Sequence, residues 1–274
     1  KVPVIFLTAD RSPETEEKCF EVGAMDYIGK PFVPAIMLKR VERTLELEEY
    51  GKSLEKMVAK QLAQITQMQQ DVIMTMANVI ESRDGTTGEH VRRTSVYTMM
   101  LAEQMQEKGL YADELTVDFI ENLRKAAPLH DIGKITVPDA VLSKPGSLSK
   151  EEYDLIKSHA QAGADLIRNN MSNMVSSEFL QISSDVACYH HEKWNGEGYP
   201  SGLKGTQIPL SARILAVADV FDALVSRRQY KEGMSVDEAF EIMEKDRGGN
   251  FEPEILDIFF EMKSDLEELI KEGI

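Results

Sequence analysis

The chain carries five histidines, at positions 90, 130, 159, 190 and 191, and all but His159 stand directly beside an acid or another histidine. His130 is followed at once by Asp131 in HDIGK (130–134). His190 and His191 open HHEKWNGEGYPSGL (190–203), and Asp219 sits in ILAVADVFDAL (214–224). Histidine is the commonest metal ligand, and histidine mixed with aspartate suits Fe, Mn, Zn or Ni. A carboxylate has two oxygens and can bridge two ions, whereas a neutral imidazole normally binds one. On a helix, adjacent side chains diverge by about 100°. HDIGK therefore fits a site in which Asp131 bridges and His130 serves one ion. Asp219 lies among small apolar residues, where a carboxylate is costly to bury unless it is paired or bound to a cation. Two ions roughly 3.5–4 Å apart polarise a phosphoryl group and raise the acidity of a water, so no Ser or Cys nucleophile is required. Lys134, four residues after His130, is expected on the same helical face, where it could neutralise transition-state charge or protonate a leaving oxygen.

Composition narrows the substrate. At 274 residues the chain holds one large domain or two modest ones, and 42% hydrophobic with 28% charged content is ordinary for a globular protein. A net charge of −16 argues against a partner that is a nucleic acid polymer. An anionic substrate must instead meet a local positive site made by metal ions and a few Lys and Arg. Cys19 and Cys188 lack any CxxC pairing and read as free thiols in a reducing cytoplasm. No apolar run approaches the roughly 18 residues of a membrane span, and no signal peptide is evident.

The elements that must position these residues fall into two parts. VPVIFLTA (2–9) reads as a buried parallel strand, SPETEEKCFEVG (12–23) as a helix, and AMDYIGKPF (24–32) as a second strand. Two strands make no stable two-faced sheet, so a further strand is expected before residue 1. From Pro34 to Glu81 the pattern is helical. Leu54, Val58, Leu62, Ile65, Met68, Val72, Met76 and Val79 form a coiled-coil-like seam, with a break or kink near Gly51. Residues 82–272 alternate helical patterns with loops. Ser149 followed by Glu151 and Glu152 marks a helix start, and NGEGYPSGLKG (195–205) must be irregular. This region is expected to be all-α.

HDIGK, then VPDAVLSKPGSLSKEEYDLIKSHAQAGADLI (137–167), HHEKWNGEGYPSGLKGTQIP (190–209) and ARILAVADVFDALVSRRQYK (212–231) together resemble an HD-GYP domain over roughly residues 70–260. The resemblance implies a metal-dependent phosphodiesterase that hydrolyses cyclic di-GMP through pGpG to GMP. It implies a primary cage of His90, His130, Asp131 and Asp219, with His159, His190 and His191 completing a second-metal site. The cofactors implied are two divalent transition-metal ions, Fe or Mn, with Ni or Zn as alternatives. Lys134 and Asp131 carry the chemistry, Tyr199 stacks on a purine, and Arg228 and Lys231 contact phosphate. Where many members have a Glu that helps bind a third metal, this chain has Thr86, which argues for two metals and weakens the case for hydrolysis as far as GMP. Residues 1–50 resemble the C-terminal half of a response-regulator receiver domain, with Thr8, Tyr27 and Lys30-Pro31 in place. The expected layout is receiver half 1–50, linker helix 51–80 and catalytic domain 81–274. An upstream sensor histidine kinase and a homodimer follow as partners. The alternatives are a non-catalytic cyclic-dinucleotide sensor or scaffold, and a hydrolase of another cyclic dinucleotide.

Overall fold

The computed structural model describes residues 2–84, 89–172, 175–226 and 233–272, in two units, Lys1–Gln69 and Gln70–Ile274. The first unit opens with β1 (Ile5–Thr8), α1 (Pro13–Glu21) and β2 (Asp26–Gly29). The strands pair in parallel, Ile5 opposite Asp26 and Thr8 opposite Gly29, and α1 is the crossover that parallel pairing demands. Ser12 caps α1, its hydroxyl accepting from the Thr15 amide at 3.3 Å, with Pro13 at the first helical position where its missing N–H costs nothing. The expectation that the first strand is buried fails: Phe6 and Leu7 are 39% and 47% exposed. One helix and two strands supply too little surface to cover both faces of the pair.

The long helix α2 runs from Pro34 to Glu81 without interruption, so the break expected near Gly51 is absent. An interior glycine costs about 1 kcal/mol relative to alanine, and the Leu, Glu, Lys, Gln and Met residues around it outweigh that cost. All eight seam residues named above are exposed.

The regular elements described in the second unit are helices, joined by turns and loops. From Gln70 onward α2 belongs to it, with Ala77, Ile80 and Glu81 buried. Then follow α3 (Glu89–Glu107), α4 (Val117–Ala126), the short α5 (Asp139–Leu142), α6 (Lys150–Met171), α7 (Ser177–Tyr189), α8 (Leu210–Val225), α9 (Val236–Lys245), α10 (Pro253–Glu261) and α11 (Lys263–Glu272). The core joins Tyr97, Leu101 and Met105 of α3 to Leu123 of α4, Phe221 of α8 and Phe259 of α10. Tyr97 and Phe259 meet Phe221 edge-on, ring centres 5.2 and 5.1 Å away, the arrangement aromatic quadrupoles favour. α3 packs on α8 and α6 on α7, which brings the helices bearing the expected ligands together. No described helix is long and apolar enough to cross a membrane.

Two polar devices fix the ends of this core. Ser149 and Glu152 form a reciprocal capping box at the start of α6. Deeper inside, the buried Arg213 guanidinium binds Glu252 Oε2 at 2.6 Å, the Tyr111 hydroxyl at 2.8 Å and the Ile208 carbonyl at 2.9 Å. Tyr111 in turn donates to Glu252. Removing one partner of a buried ion pair leaves an uncompensated charge. Glu252→Ala is therefore expected to lower unfolding free energy by about 3–5 kcal/mol, against about 1 kcal/mol for Ser149→Ala. Urea unfolding of both variants measures this, and equal losses would count against the burial argument.

Candidate metal centre

HDIGK is not α-helical, contrary to expectation. α4 ends at Ala126, residues 127–129 form a 3₁₀ turn containing Pro128, His130 and Asp131 occupy a turn, and 132–136 form a second 3₁₀ segment. In 3₁₀ geometry residues three apart eclipse. Lys134 thus falls over Asp131, its Nζ 2.8 Å from Asp131 Oδ2, rather than sharing a face with His130. Gly133 is what lets this segment lie on α6. A Cβ there would stand 1.9 Å from the His159 carbonyl oxygen and 2.5 Å from the Gly163 amide. Only glycine allows that backbone approach, and it sets Asp131 opposite His159.

The five histidines converge. His90 and His130 with Asp131 form one group of potential ligands, and His159, His190 and His191 with Asp131 form another, each with its ligand atoms within 4.8 Å of one another. Asp131 belongs to both. Its Oδ1 is 3.1 Å from His159 Nε2 and 3.6 Å from His190 Nε2, and its Oδ2 is 3.3 Å from His130 Nε2. Asp219 enters from α8, its Oδ1 3.4 Å from His90 Nε2 and 4.0 Å from His130 Nε2. His190 and His191, which the sequence could not tell apart, both point inward.

The hydrogen bonds decide the tautomers. The Nδ1 atoms of His130, His159 and His190 lie 2.8, 2.7 and 2.8 Å from the carbonyl oxygens of Ala127, Ile156 and Val186. A carbonyl only accepts, so each Nδ1 carries a proton and each ring turns its Nε2 toward the Asp131 carboxylate. Lone pairs facing lone pairs repel unless a positive charge stands between them. Consistently, His130 Nε2 and Asp131 Oδ1 are buried without a hydrogen-bond partner. Burial disfavours a charged His130, yet the carboxylates of Asp131, Asp219 and Glu81 outweigh it and raise its pKa to about 9, so a proton on His130 supplies that positive charge where no cation does. Burial likewise opposes ionisation of Asp131, but Lys134 and His130 hold its pKa well below the usual carboxylate range. Burial keeps His190 and His191 below the ordinary imidazole value, neutral as a ligand must be. This is a pocket of buried carboxylates and imidazole nitrogens, and the donor set fits divalent transition-metal ions.

The rim is built by the 192–209 loop. The Tyr199 ring centre lies 4.7 Å from that of His191, so it already borders the centre. Glu192 is buried and accepts from the Ser201 and Leu203 amides at 2.7 and 3.0 Å, closing the loop around Tyr199. Gly198 is required because a Cβ would stand 2.3 Å from the Lys193 nitrogen. Trp194 packs within the loop, its amide bonded to the Asn250 carbonyl at 3.1 Å. Cys188 is a buried thiol of α7. Thr86, Arg228 and Lys231 lie outside the described residues.

Three participants escaped the sequence reading: Asp222, Glu81 and Glu192. Asp222, one helical turn beyond Asp219, accepts from His90 Nδ1 at 2.7 Å and from Arg93 at 2.6 and 3.2 Å. It is fully buried, whereas Asp219 retains 19% side-chain exposure. The second acid in ADVFDAL was the available signal. Such outer carboxylates orient ligating imidazoles, and their loss weakens metal affinity about 10–100-fold. Asp222→Asn is expected to show that loss in competition with a chelator; unchanged affinity would remove Asp222 from the centre.

Comparison with known proteins agrees with this geometry. The family model described as HD domain matches residues 52–255. A probable cyclic di-GMP phosphodiesterase of Vibrio cholerae is 41% identical over 94% of this chain, and the chain spans 60% of that relative's length. The cyclic di-GMP phosphodiesterase response regulator RpfG of Xanthomonas campestris is 34% identical over 98% of this chain and 69% of its own. A crystal structure of a cyclic GMP-AMP specific phosphodiesterase of V. cholerae shares the fold, with a TM-score of 0.52 at 19% identity over 72% of this chain and 49% of that one. The chain belongs to the HD-domain family, among the HD-GYP proteins.

Proposed function

We propose that this chain is a metal-dependent phosphodiesterase that opens cyclic di-GMP to pGpG. The observation that carries the reading is Asp131, shared by two groups of nitrogen donors, with the Lys134 ammonium at its edge. His90, His130, Asp131 and Asp219 would hold one divalent ion, and His159, His190, His191 and Asp131 the other, Fe or Mn being suited to this mixture of N and O donors. Such a pair supplies Lewis-acid polarisation of the phosphoryl group and a more acidic water when bound. The protein's own groups do the rest. Lys134 places a positive charge beside the phosphoryl oxygens, and Tyr199 offers a ring face to a guanine at the rim. The names of the two curated relatives support the substrate.

Residues 1–50 are read as the C-terminal half of a receiver, supported by the parallel β1–α1–β2 arrangement, by Thr8 ending β1 and Tyr27 in β2, and by the words "response regulator" in one relative's name. On this reading a sensor histidine kinase acts upstream in the cytoplasm, and the exposed α2 seam pairs with a second copy.

Two experiments test these points. Anaerobic turnover of cyclic di-GMP by Fe- or Mn-loaded protein is expected to yield pGpG, and Asp131→Ala to cut kcat about 10³-fold or more, since several kcal/mol of charge stabilisation is lost. Faster turnover of 3′3′-cyclic GMP-AMP than of cyclic di-GMP would overturn the substrate assignment, and tight binding without turnover would favour the sensor alternative. For the seam, Val58→Glu with Leu62→Glu is expected to shift sedimentation from dimer to monomer while metal content stays the same. A parent chain that sediments as a monomer at high concentration would exclude the pairing.

A further inference from the structure

We propose that Glu81, the last residue of α2, is the positioning residue for Lys134, holding its ammonium at the edge of the metal centre where a phosphoryl oxygen arrives. The inference rests on the phosphodiesterase reading above. Lys134 Nζ lies 2.8 Å from Glu81 Oε1 and 2.8 Å from Asp131 Oδ2. The two carboxylates play different parts. Asp131 belongs to both ligand groups, and Glu81 belongs to neither. Once the oxygens of Asp131 are given to cations, they no longer serve an ammonium, and those cations repel it. A lysine stem of four methylenes would then swing toward solvent, because a flexible side chain follows its charge. Glu81 is a counter-charge that the cations leave in place. It is 1% exposed, so water does little to weaken its attraction for Lys134.

A second set of bonds fixes the distance between the two residues. Arg83, two positions beyond Glu81, donates to the Lys134 carbonyl at 3.1 Å, to the Val137 carbonyl at 2.9 Å and to Asp139 Oδ1 at 2.6 Å. The chain just after α2 therefore grips the main chain of the same lysine whose side chain Glu81 holds. Main-chain and side-chain anchors agree on one position for Nζ. Geometry of this kind converts a mobile surface lysine into a directed one.

The test is a double-mutant cycle on the metal-loaded full chain with Glu81→Gln, Lys134→Met and the pair. Glu81→Gln keeps the side-chain shape and removes the charge. It is expected to lower kcat for cyclic di-GMP about 10–100-fold, the usual range for losing a hydrogen bond to a charged group, while KM and metal content stay near those of the parent. In the Lys134→Met background the same change is expected to alter kcat less than about twofold, since residues acting as one unit are not additive. Glu81→Asp keeps the charge and is expected to lie between parent and Glu81→Gln. Fully additive losses, or an unchanged kcat in Glu81→Gln, would overturn the proposal. Lysine labelled with ¹³C at Cε gives a readout free of substrate: the resonance lost in Lys134→Met is expected to shift in Glu81→Gln. If the parent does not turn over cyclic di-GMP, the functional reading falls. An unshifted Lys134 resonance would sink the Glu81 assignment by itself.

Discussion

A buried carboxylate needs positive charge beside it, and Asp131 is held among imidazole nitrogens and the Lys134 ammonium by everything around it. Its oxygens lie 3.1 to 3.6 Å from three Nε2 atoms. Such a cluster persists only where the backbone fixes each member and a positive charge can enter. Each of the three rings is tied back to a carbonyl in its own element. The 3₁₀ segment that presents Asp131 is pressed on α6 closely enough that a Cβ at Gly133 would overlap the His159 carbonyl. The apolar packing of α3 on α8 and of α6 on α7 serves the same end, since His90, Asp219 and His159 come from three of those helices.

Much of this was legible in the sequence because donor type is a property of single residues. All five histidines, Asp131 and Asp219 converge. The span of the long helix was readable because no proline interrupts the pattern after Pro34 and an apolar seam repeats from Leu54 to Val79, and Ser149 with Glu152 announces α6. What stayed hidden depends on contacts between distant segments. Asp222 and Asp219 look alike in ADVFDAL, and only the position of His90 on α3 separates the inward carboxylate from the one that braces a ring. Glu81 reads as one more acid on a helix until its 2.8 Å contact with Lys134 is known. Helical periodicity misled at HDIGK, where Pro128 and Gly133 favour tight turns. Burial of β1 was misread because strand burial depends on what covers it. The segments around Thr86, Arg228 and Lys231 lie outside the described residues, so the phosphate contacts implied for them rest on resemblance alone.

The electrostatics of the centre and its rim divide the work. The five rings and two acids line the interior, while the Lys134 ammonium lies at its edge between Asp131 and Glu81. Tyr199 sits beside His191, and Glu192 holds the loop that carries it through the Ser201 and Leu203 amides. Recognition of a base and handling of a phosphate thus come from adjacent but separately anchored pieces.

The partners of the ring nitrogens carry one more consequence. Three of the imidazoles lean on neutral carbonyls, but His90 Nδ1 donates to the Asp222 carboxylate at 2.7 Å. A carboxylate partner draws the shared proton away and enriches the opposite nitrogen in electron density. His90 is therefore a stronger σ-donor than His159 or His190, and the two halves of the centre differ in Lewis basicity even though their donor atoms are of the same kinds. Ions held at the two positions would be electronically inequivalent, and a redox-active metal would have a different potential in each.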